Sequence, residues 1–126
     1  MNRGDVVIVD FPFTSGGASK VRPALVVQSD RENRRLSKTI VAMITGNLRR
    51  AGEPTHYLVD PAVPPGAAAN LSGKSLVSCI NLYTIDQSSV IRTIGHLPSV
   101  AMQQVDACLR EALGLNAGAS ASLTTP

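Results

Sequence analysis

The chain has no tryptophan and few aromatic rings of any kind, two Phe and two Tyr in 126 residues. A ligand that needed an aromatic cage would find little here, and guanidinium planes or polar side chains would have to share the work. Cysteine is equally scarce. Cys79 and Cys108 are too few for a disulfide scaffold and follow no C-x-x-C spacing, which sets aside a structural zinc site and leaves both as small buried hydrophobes of a reducing compartment. No apolar stretch approaches the roughly 20 residues that span a bilayer. Met1 is followed at once by polar, strand-like sequence, so the expectation is a cytoplasmic chain with no membrane partner. Gly16-Gly17 lacks the Gly-Lys-Ser/Thr ending of a phosphate-binding loop. Gly73-Lys74-Ser75 imitates that ending without the upstream glycine. Carboxylates form neither a catalytic pair nor a ligand cluster by spacing, so no metal and no cofactor are expected.

What the chain does have is enough apolar sequence, 44%, for one hydrophobic core, and too little length for a second domain. Its net charge of +3 is unevenly spread. Through Gly52 there are nine bases (Arg3, Lys20, Arg22, Arg31, Arg34, Arg35, Lys38, Arg49, Arg50) against four acids (Asp5, Asp10, Asp30, Glu32). From Glu53 onward three bases face five acids. Nine of the twelve bases are Arg, whose planar fork suits bidentate contact with phosphate. The basic half therefore suits a polyanion such as RNA or DNA.

Strand signals dominate. Asp5 to Phe11 reads as a first strand ending at Pro12, and Phe13 to Lys20 is a loop by its Gly and Ser content. Ala24-Leu25-Val26-Val27 is an apolar run suited to a buried strand, Asp30 to Arg35 a helical turn capped by Ser29 or Asp30, and Thr39 to Ile44 a third strand ending at Thr45-Gly46-Asn47. A basic loop, Asn47 to Pro54, precedes a strand over Thr55 to Val59. Asp60 to Gly73 holds three prolines and two glycines and reads as irregular. Strands are expected again over Ser75 to Ile80, Tyr83 to Ile85 and Val90 to Leu97. A final helix has Ser99 as its N-cap, Met102, Val105, Leu109 and Ala112 on one face, and Gly114 as its stop. This order describes a mainly β chain with a C-terminal helix, a small antiparallel barrel or half-barrel. Residues 116–126 have no period and little to bury, and are expected to be disordered beyond a domain spanning 1–115.

Arg22 opens one strand and Thr45 closes another, so both side chains are expected at a loop-rich edge, where chemistry concentrates. Antiparallel neighbours bring the start of one strand beside the end of the next. His56 is the obvious proton carrier by residue type, imidazole being the side chain that changes charge nearest neutral pH. Its place after a Pro-Thr turn favours a hydrogen-bonded structural role.

These residues carry a resemblance. Arg3-Gly4-Asp5-Val6-Val7, a Gly-containing loop, Val21-Arg22-Pro23-Ala24-Leu25-Val26-Val27-Gln28-Ser29-Asp30, Asn33, and Thr39 to Thr45 together resemble the MazF/PemK family of toxins from type II toxin–antitoxin systems. The likeness continues through Pro54-Thr55-His56, Ser75-Leu76-Val77 and Tyr83-Thr84-Ile85-Asp86 into the final helix. It implies an SH3-like barrel, a homodimer, a cognate antitoxin, and metal-independent cleavage of single-stranded RNA (mRNA) at short sequence motifs. It further implies Arg22 and Thr45 as the catalytic pair. PemK-type members carry an Arg and an Asp around the later Cys-containing strand. Here Ser78 and Ile80 flank Cys79, so that acid–base assignment does not transfer. Residues expected to contact RNA are Phe13, Lys20, Gln28, Asn47, Arg49, Arg50 and Asn81. The alternative is a non-enzymatic toxin of the CcdB type, which shares the fold and binds DNA gyrase and has no use for a phosphate clamp.

Overall fold

The computed structural model describes residues 1–11 and 20–115. Phe13, most of the first loop, and the tail after Leu115 lie outside the described residues. Six strands, β1 (Asp5–Phe11), β2 (Lys20–Val26), β3 (Lys38–Thr45), β4 (His56–Val59), β5 (Ser75–Asp86) and β6 (Val90–His96), form one sheet in the order β4-β5-β3-β2-β1-β6. Every neighbouring pair is antiparallel. Two helices accompany them, α1 (Asp30–Arg35) and α2 (Ser99–Leu113). The mainly β fold with a C-terminal helix is as expected. Its hydrogen bonding leaves β4 and β6 as separate ends instead of closing a complete barrel.

Strand alternation sorts the core onto two faces. Leu25, Ala42, Ile44, Val77 and Cys79 cluster with Ala101, Met102, Val105 and Cys108 of α2. On the opposite face Val7, Val9, Phe11, Ala24, Val26, Val41 and Ile85 form a second cluster. A sheet buried on both faces explains why β2 reads as a continuous apolar run. Helix α2 is set by Gly114, whose φ of 69° gives the left-handed stop that glycine adopts without strain. Its start differs from expectation: Pro98 is the N-cap, Ser99 is the first helical residue, and no side chain caps it. The buried stripe is also rotated, with Ala101 and Cys108 buried while Leu109 and Ala112 are only partly so. Arg3 fastens this helix to the sheet, donating from Nε to the Val27 carbonyl and from its guanidinium to Asp106 at 2.6 Å.

The segment after β4 is irregular as expected but packs tightly. A short 3-10 turn, Gly66–Ala69, lies against β6, where Gly95 pairs with Val6. A β-carbon on Gly95 would collide with the Ala68 carbonyl oxygen and the Ala69 backbone. Both cysteines are buried and free. Burial pushes the Cys79 thiol up to about 12, with nearby Cys108 and Asp106 adding to the effect. The Cys108 thiol is raised by burial as well. Neither offers a thiolate at neutral pH, so neither serves as a nucleophile.

Because the atoms facing Gly95 are backbone, Gly95→Ala requires the turn or β6 to shift. A loss of about 1–3 kcal/mol in unfolding free energy is expected from overpacking, measured by urea denaturation. Unchanged stability would mean that the turn yields freely.

Candidate functional site

The face opposite α2 carries a small depression of about 150 Å³, walled by Thr45, Asn47, Arg49, Arg50, His56, Leu76, Ser78 and Asn81. Four of these are strand residues in register: Thr45 pairs with Leu76, and His56 pairs with Ser78. Alternation places them on the same face as Val41 and Met43, away from the helix. The site therefore follows from sheet geometry.

Arg22 approaches from β2. Pairing of β2 with β3 runs Ala24 to Met43, Leu25 to Ala42 and Val26 to Val41. Continuing that register past Pro23, which has no N–H to donate, brings Arg22 abreast of Thr45. Its parity with Ala24 and Val26 turns it to the same face. Lys20, two residues earlier, shares that parity and is exposed. The Arg22 side chain is exposed and has no hydrogen bond or ion pair among the described residues. A guanidinium on that face, unpaired among the described residues, is available to an anion.

The Thr45 hydroxyl is oriented. Its Oγ1 accepts from the Asn47 backbone N–H at 3.1 Å, so its own hydrogen is free to donate elsewhere. Asn47 shapes the following turn, its Oδ1 accepting from the Arg49 N–H at 3.0 Å. Successive turns, Ala51 N to Leu48 O and Glu53 N to Arg50 O, then carry the chain to β4, with Gly52 at a φ of 90°. Arg50 leans on Glu53 at 3.3 Å, whereas the Arg49 side chain is unpaired among the described residues.

The far wall comes from an irregularity in β5. Met43 pairs with Ser78 while the adjacent Ala42 pairs with Leu82, so Cys79, Ile80 and Asn81 form a bulge with no partner on β3. Bulges re-aim side chains beside functional sites, and here Asn81 folds back, donating from Nδ2 to Ser78 Oγ at 2.8 Å. Ser78 Oγ also lies 3.1 Å from His56 Nε2, and His56 Nδ1 lies 2.8 Å from Thr55 Oγ1. The Thr55 carbonyl accepts from the Cys79 N–H at 3.1 Å, tying the bulge to β4. His56 is buried with both ring nitrogens engaged, as the structural reading of it expected. Its membership of the site wall was not legible, because it depends on a cross-strand partner 22 residues away.

Thr45, Asn47, Arg49, Arg50 and Asn81 are thus brought together, with Arg22 and Lys20 on the adjoining strand. Gln28 is not. It lies past the far end of β2, and its Nε2 donates to Asn33 Oδ1 and the Lys38 carbonyl, each at 2.9 Å. Lys38 begins β3 and Thr45 ends it, so the strand's length separates Gln28 from the depression. Its amide is spent joining β2 to α1 and β3. The sequence reading missed Ser78 as a wall residue, since it treated that position only as a departure from a family pattern.

A basic, partly polar depression, with an Arg side chain unpaired among the described residues and an oriented hydroxyl at its edge, suits an anionic ligand. Residues 2–113 match the family described as PemK-like, MazF-like toxin of type II toxin-antitoxin system, and the chain belongs to that family. It is 33% identical over 116 residues to Endoribonuclease EndoA of Bacillus subtilis (strain 168), covering 91% of this chain and 96% of that one. Among solved structures, Mycobacterium tuberculosis toxin MazF-mt6 matches with a TM-score of 0.72 and 27% identity, over 89% of this chain and 98% of that one. An endoribonuclease from Mycobacterial species, solved in complex with its cognate antitoxin, matches the fold with a TM-score of 0.73 and 22% identity, over 94% of this chain and 99% of that one. The CcdB alternative receives no support from these matches.

Exposed, and unpaired among the described residues, Arg22 contributes little to folding. Arg22→Ala is expected to leave unfolding free energy within about 0.5 kcal/mol of the parent, measured by urea denaturation. A larger loss would show that the guanidinium holds the strand end in place.

Proposed function

We infer that this chain is the toxin of a type II toxin–antitoxin system and acts as an endoribonuclease on single-stranded RNA, with Arg22 and Thr45 as its catalytic pair. The carrying observation is their placement: on one face, on adjacent strands, with the Thr45 hydroxyl oriented by the Asn47 N–H. RNA carries its own nucleophile, the 2′-OH next to the scissile phosphate. The protein has to align that attack and absorb the charge that grows on the phosphorane. Arg22 holds two non-bridging oxygens at once, and Thr45 donates its free hydrogen to the same phosphate. A guanidinium is a permanent cation and a poor base near neutral pH, so Arg22 stabilises charge and can act as the acid that protonates the leaving 5′-oxygen. Metal ions and a covalent intermediate are not needed for this route.

Lys20, Asn47, Arg49, Arg50 and Asn81 hold the strand on either side of the reacting phosphate. The working unit is the 1–115 domain as a cytoplasmic homodimer. A cognate antitoxin with an acidic segment occupies the same basic groove and excludes RNA by charge as well as by bulk. Among the described residues no helix is long and apolar enough to cross a membrane.

Arg22→Ala and Thr45→Ala are each expected to lower cleavage about 10²- to 10³-fold, as loss of one donor to a developing charge does elsewhere. Cleavage of a long single-stranded RNA by the parent protein should persist in EDTA and leave a 2′,3′-cyclic phosphate. It should fail when the scissile nucleotide carries a 2′-methoxy group. Dependence on magnesium, or 5′-phosphate products, would place the protein in another nuclease class.

Charge reversal tests the groove. Arg49→Glu with Arg50→Glu should weaken both RNA and antitoxin binding and flatten the salt dependence, since each lost phosphate contact on a single strand removes about 0.7 from the log–log slope. Arg110→Glu on α2, which covers the other face, should spare RNA binding. Unchanged affinity in the double reversal would put the groove elsewhere.

A further inference from the structure

We propose that Lys74 is a further substrate-binding residue, holding a phosphate that is not cleaved, on the side of Thr45 away from Arg22. The proposal rests on the endoribonuclease reading above, which supplies single-stranded RNA as the ligand, and deepens it by extending the bound strand from β2 across the end of β3 to β5.

The sheet sets the position. β3 lies between β2 and β5. Arg22 falls abreast of Thr45 on one side, and Leu76 pairs with Thr45 on the other. Lys74 precedes Leu76 by two residues, just ahead of the start of β5, so the parity that turns Leu76 and Ser78 to the depression turns Lys74 the same way. With strands about 4.8 Å apart and a rise of about 3.3 Å per residue, its Cα stands roughly 8 Å from that of Thr45 and roughly 12 Å from that of Arg22. A lysine so placed reaches a neighbouring phosphate of an extended strand instead of sharing the reacting one.

The segment that carries Lys74 is anchored. Ser75 has the parity of Val77 and Cys79, which face the helix, and it is buried. Its Oγ donates to the Gly73 carbonyl at 3.0 Å, fixing the backbone on either side of Lys74. Gly73-Lys74-Ser75 thus lacks the glycine-rich cradle of a phosphate-binding loop but holds its lysine on a firm base, at the entry of a strand. Among the described residues, no heavy atom beyond the chain neighbours lies within 4 Å of where a β-carbon on Gly46 or Gly73 would stand. The exit of β3 and the entry of β5 are therefore open to a ligand.

The ammonium is also uncommitted. Lys74 is exposed and has no hydrogen bond or ion pair among the described residues. By register its acidic neighbour is Asp60, which follows β4 where Val59 pairs with Ser75. Asp60 Oδ1 accepts from the Ala62 N–H at 2.9 Å, so that carboxylate is occupied within its own turn. At the other end of β3 the cations stand among acids. Lys38 pairs with Asp86 at 2.7 Å and Arg35 with Glu32 at 2.6 Å, and Arg31 and Arg34 share α1 with Asp30 and Glu32. A phosphate that does not react keeps one charge from ground state to transition state, so the point charge of an ammonium suffices for it. Such a contact strengthens both states equally, and its loss appears in KM.

The test uses short single-stranded oligonucleotides with 2′-methoxy groups throughout, which cannot be cleaved, each with one phosphate replaced by an uncharged methylphosphonate. Fluorescence anisotropy gives dissociation constants for the parent and for Lys74→Gln across the series. Lys74→Gln should weaken binding of the fully charged strand about 2- to 5-fold and lower the log–log salt slope by about 0.7. At one position the methylphosphonate should weaken the parent but not Lys74→Gln, the non-additivity of two groups in contact. That position should differ from the one that behaves so with Arg22→Ala. Lys74→Arg should restore binding. On ordinary RNA, Lys74→Gln should raise KM by the same factor with kcat unchanged, and Arg110→Gln, which removes an equal charge from α2, should do neither. Additive losses at every position, or coupling of Lys74 and Arg22 to the same phosphate, would overturn the proposal. So would weakened binding of polyglutamate with RNA binding unchanged, which would assign Lys74 to an acidic protein segment. Coupling of Lys74 to its own phosphate without cleavage of ordinary RNA would sink the endoribonuclease reading and leave the contact standing. Cleavage without that coupling would do the reverse, and no binding at all would end both.

Discussion

The pairing of β3 with β2 on one side and β5 on the other is the constraint on which the rest of the molecule depends. It fixes parity. Once Ala24 faces Met43 and Thr45 faces Leu76, every side chain on these strands is assigned to the helix-covered face or to the face that carries the depression. Slipping one strand by a single residue would bury Arg22 or Thr45 against α2 and expose Leu25 or Ile44. The hydrophobic core and the candidate site are two readings of the same register, and Leu76, buried in the sheet yet lining the depression, belongs to both.

The architecture was legible because it rests on local signals. Runs such as Ile40 to Ile44 and the Ser29 cap of α1, which accepts from the Glu32 N–H, show in short windows of sequence. Thr45 closes β3 as its sequence position suggests, whereas β2 begins at Lys20 and Arg22 is its third residue, already paired with Val9 of β1. Gln28 misled because a polar residue just past a strand looks available until its partners are known. Asn33 and Lys38, which take its amide, are fixed by how α1 folds back between β2 and β3.

Strand β5 was the least legible element. Ser75 to Ile80 and Tyr83 to Ile85 read as separate strands because the apolar alternation changes phase between them. In the structure Val77 and Cys79 face the helix, and beyond the bulge Leu82 packs there while Ile85 lies on the other face. One continuous strand with an odd number of unpaired residues produces that signature. The same misreading hid Ser78 and His56, whose contact depends on β4 docking onto the half of β5 before the bulge.

That odd number has a consequence for how such proteins diverge. Cys79, Ile80 and Asn81 act as a phase shifter within β5. Removing or adding two residues there keeps the shift odd and leaves the core parity of both halves intact, while changing which side chain overhangs the depression and how far it reaches. Insertion of one residue would instead turn half of the strand inside out. Length variation in even steps at this point therefore offers a route by which the ligand preference of the fold can drift while its packing is preserved.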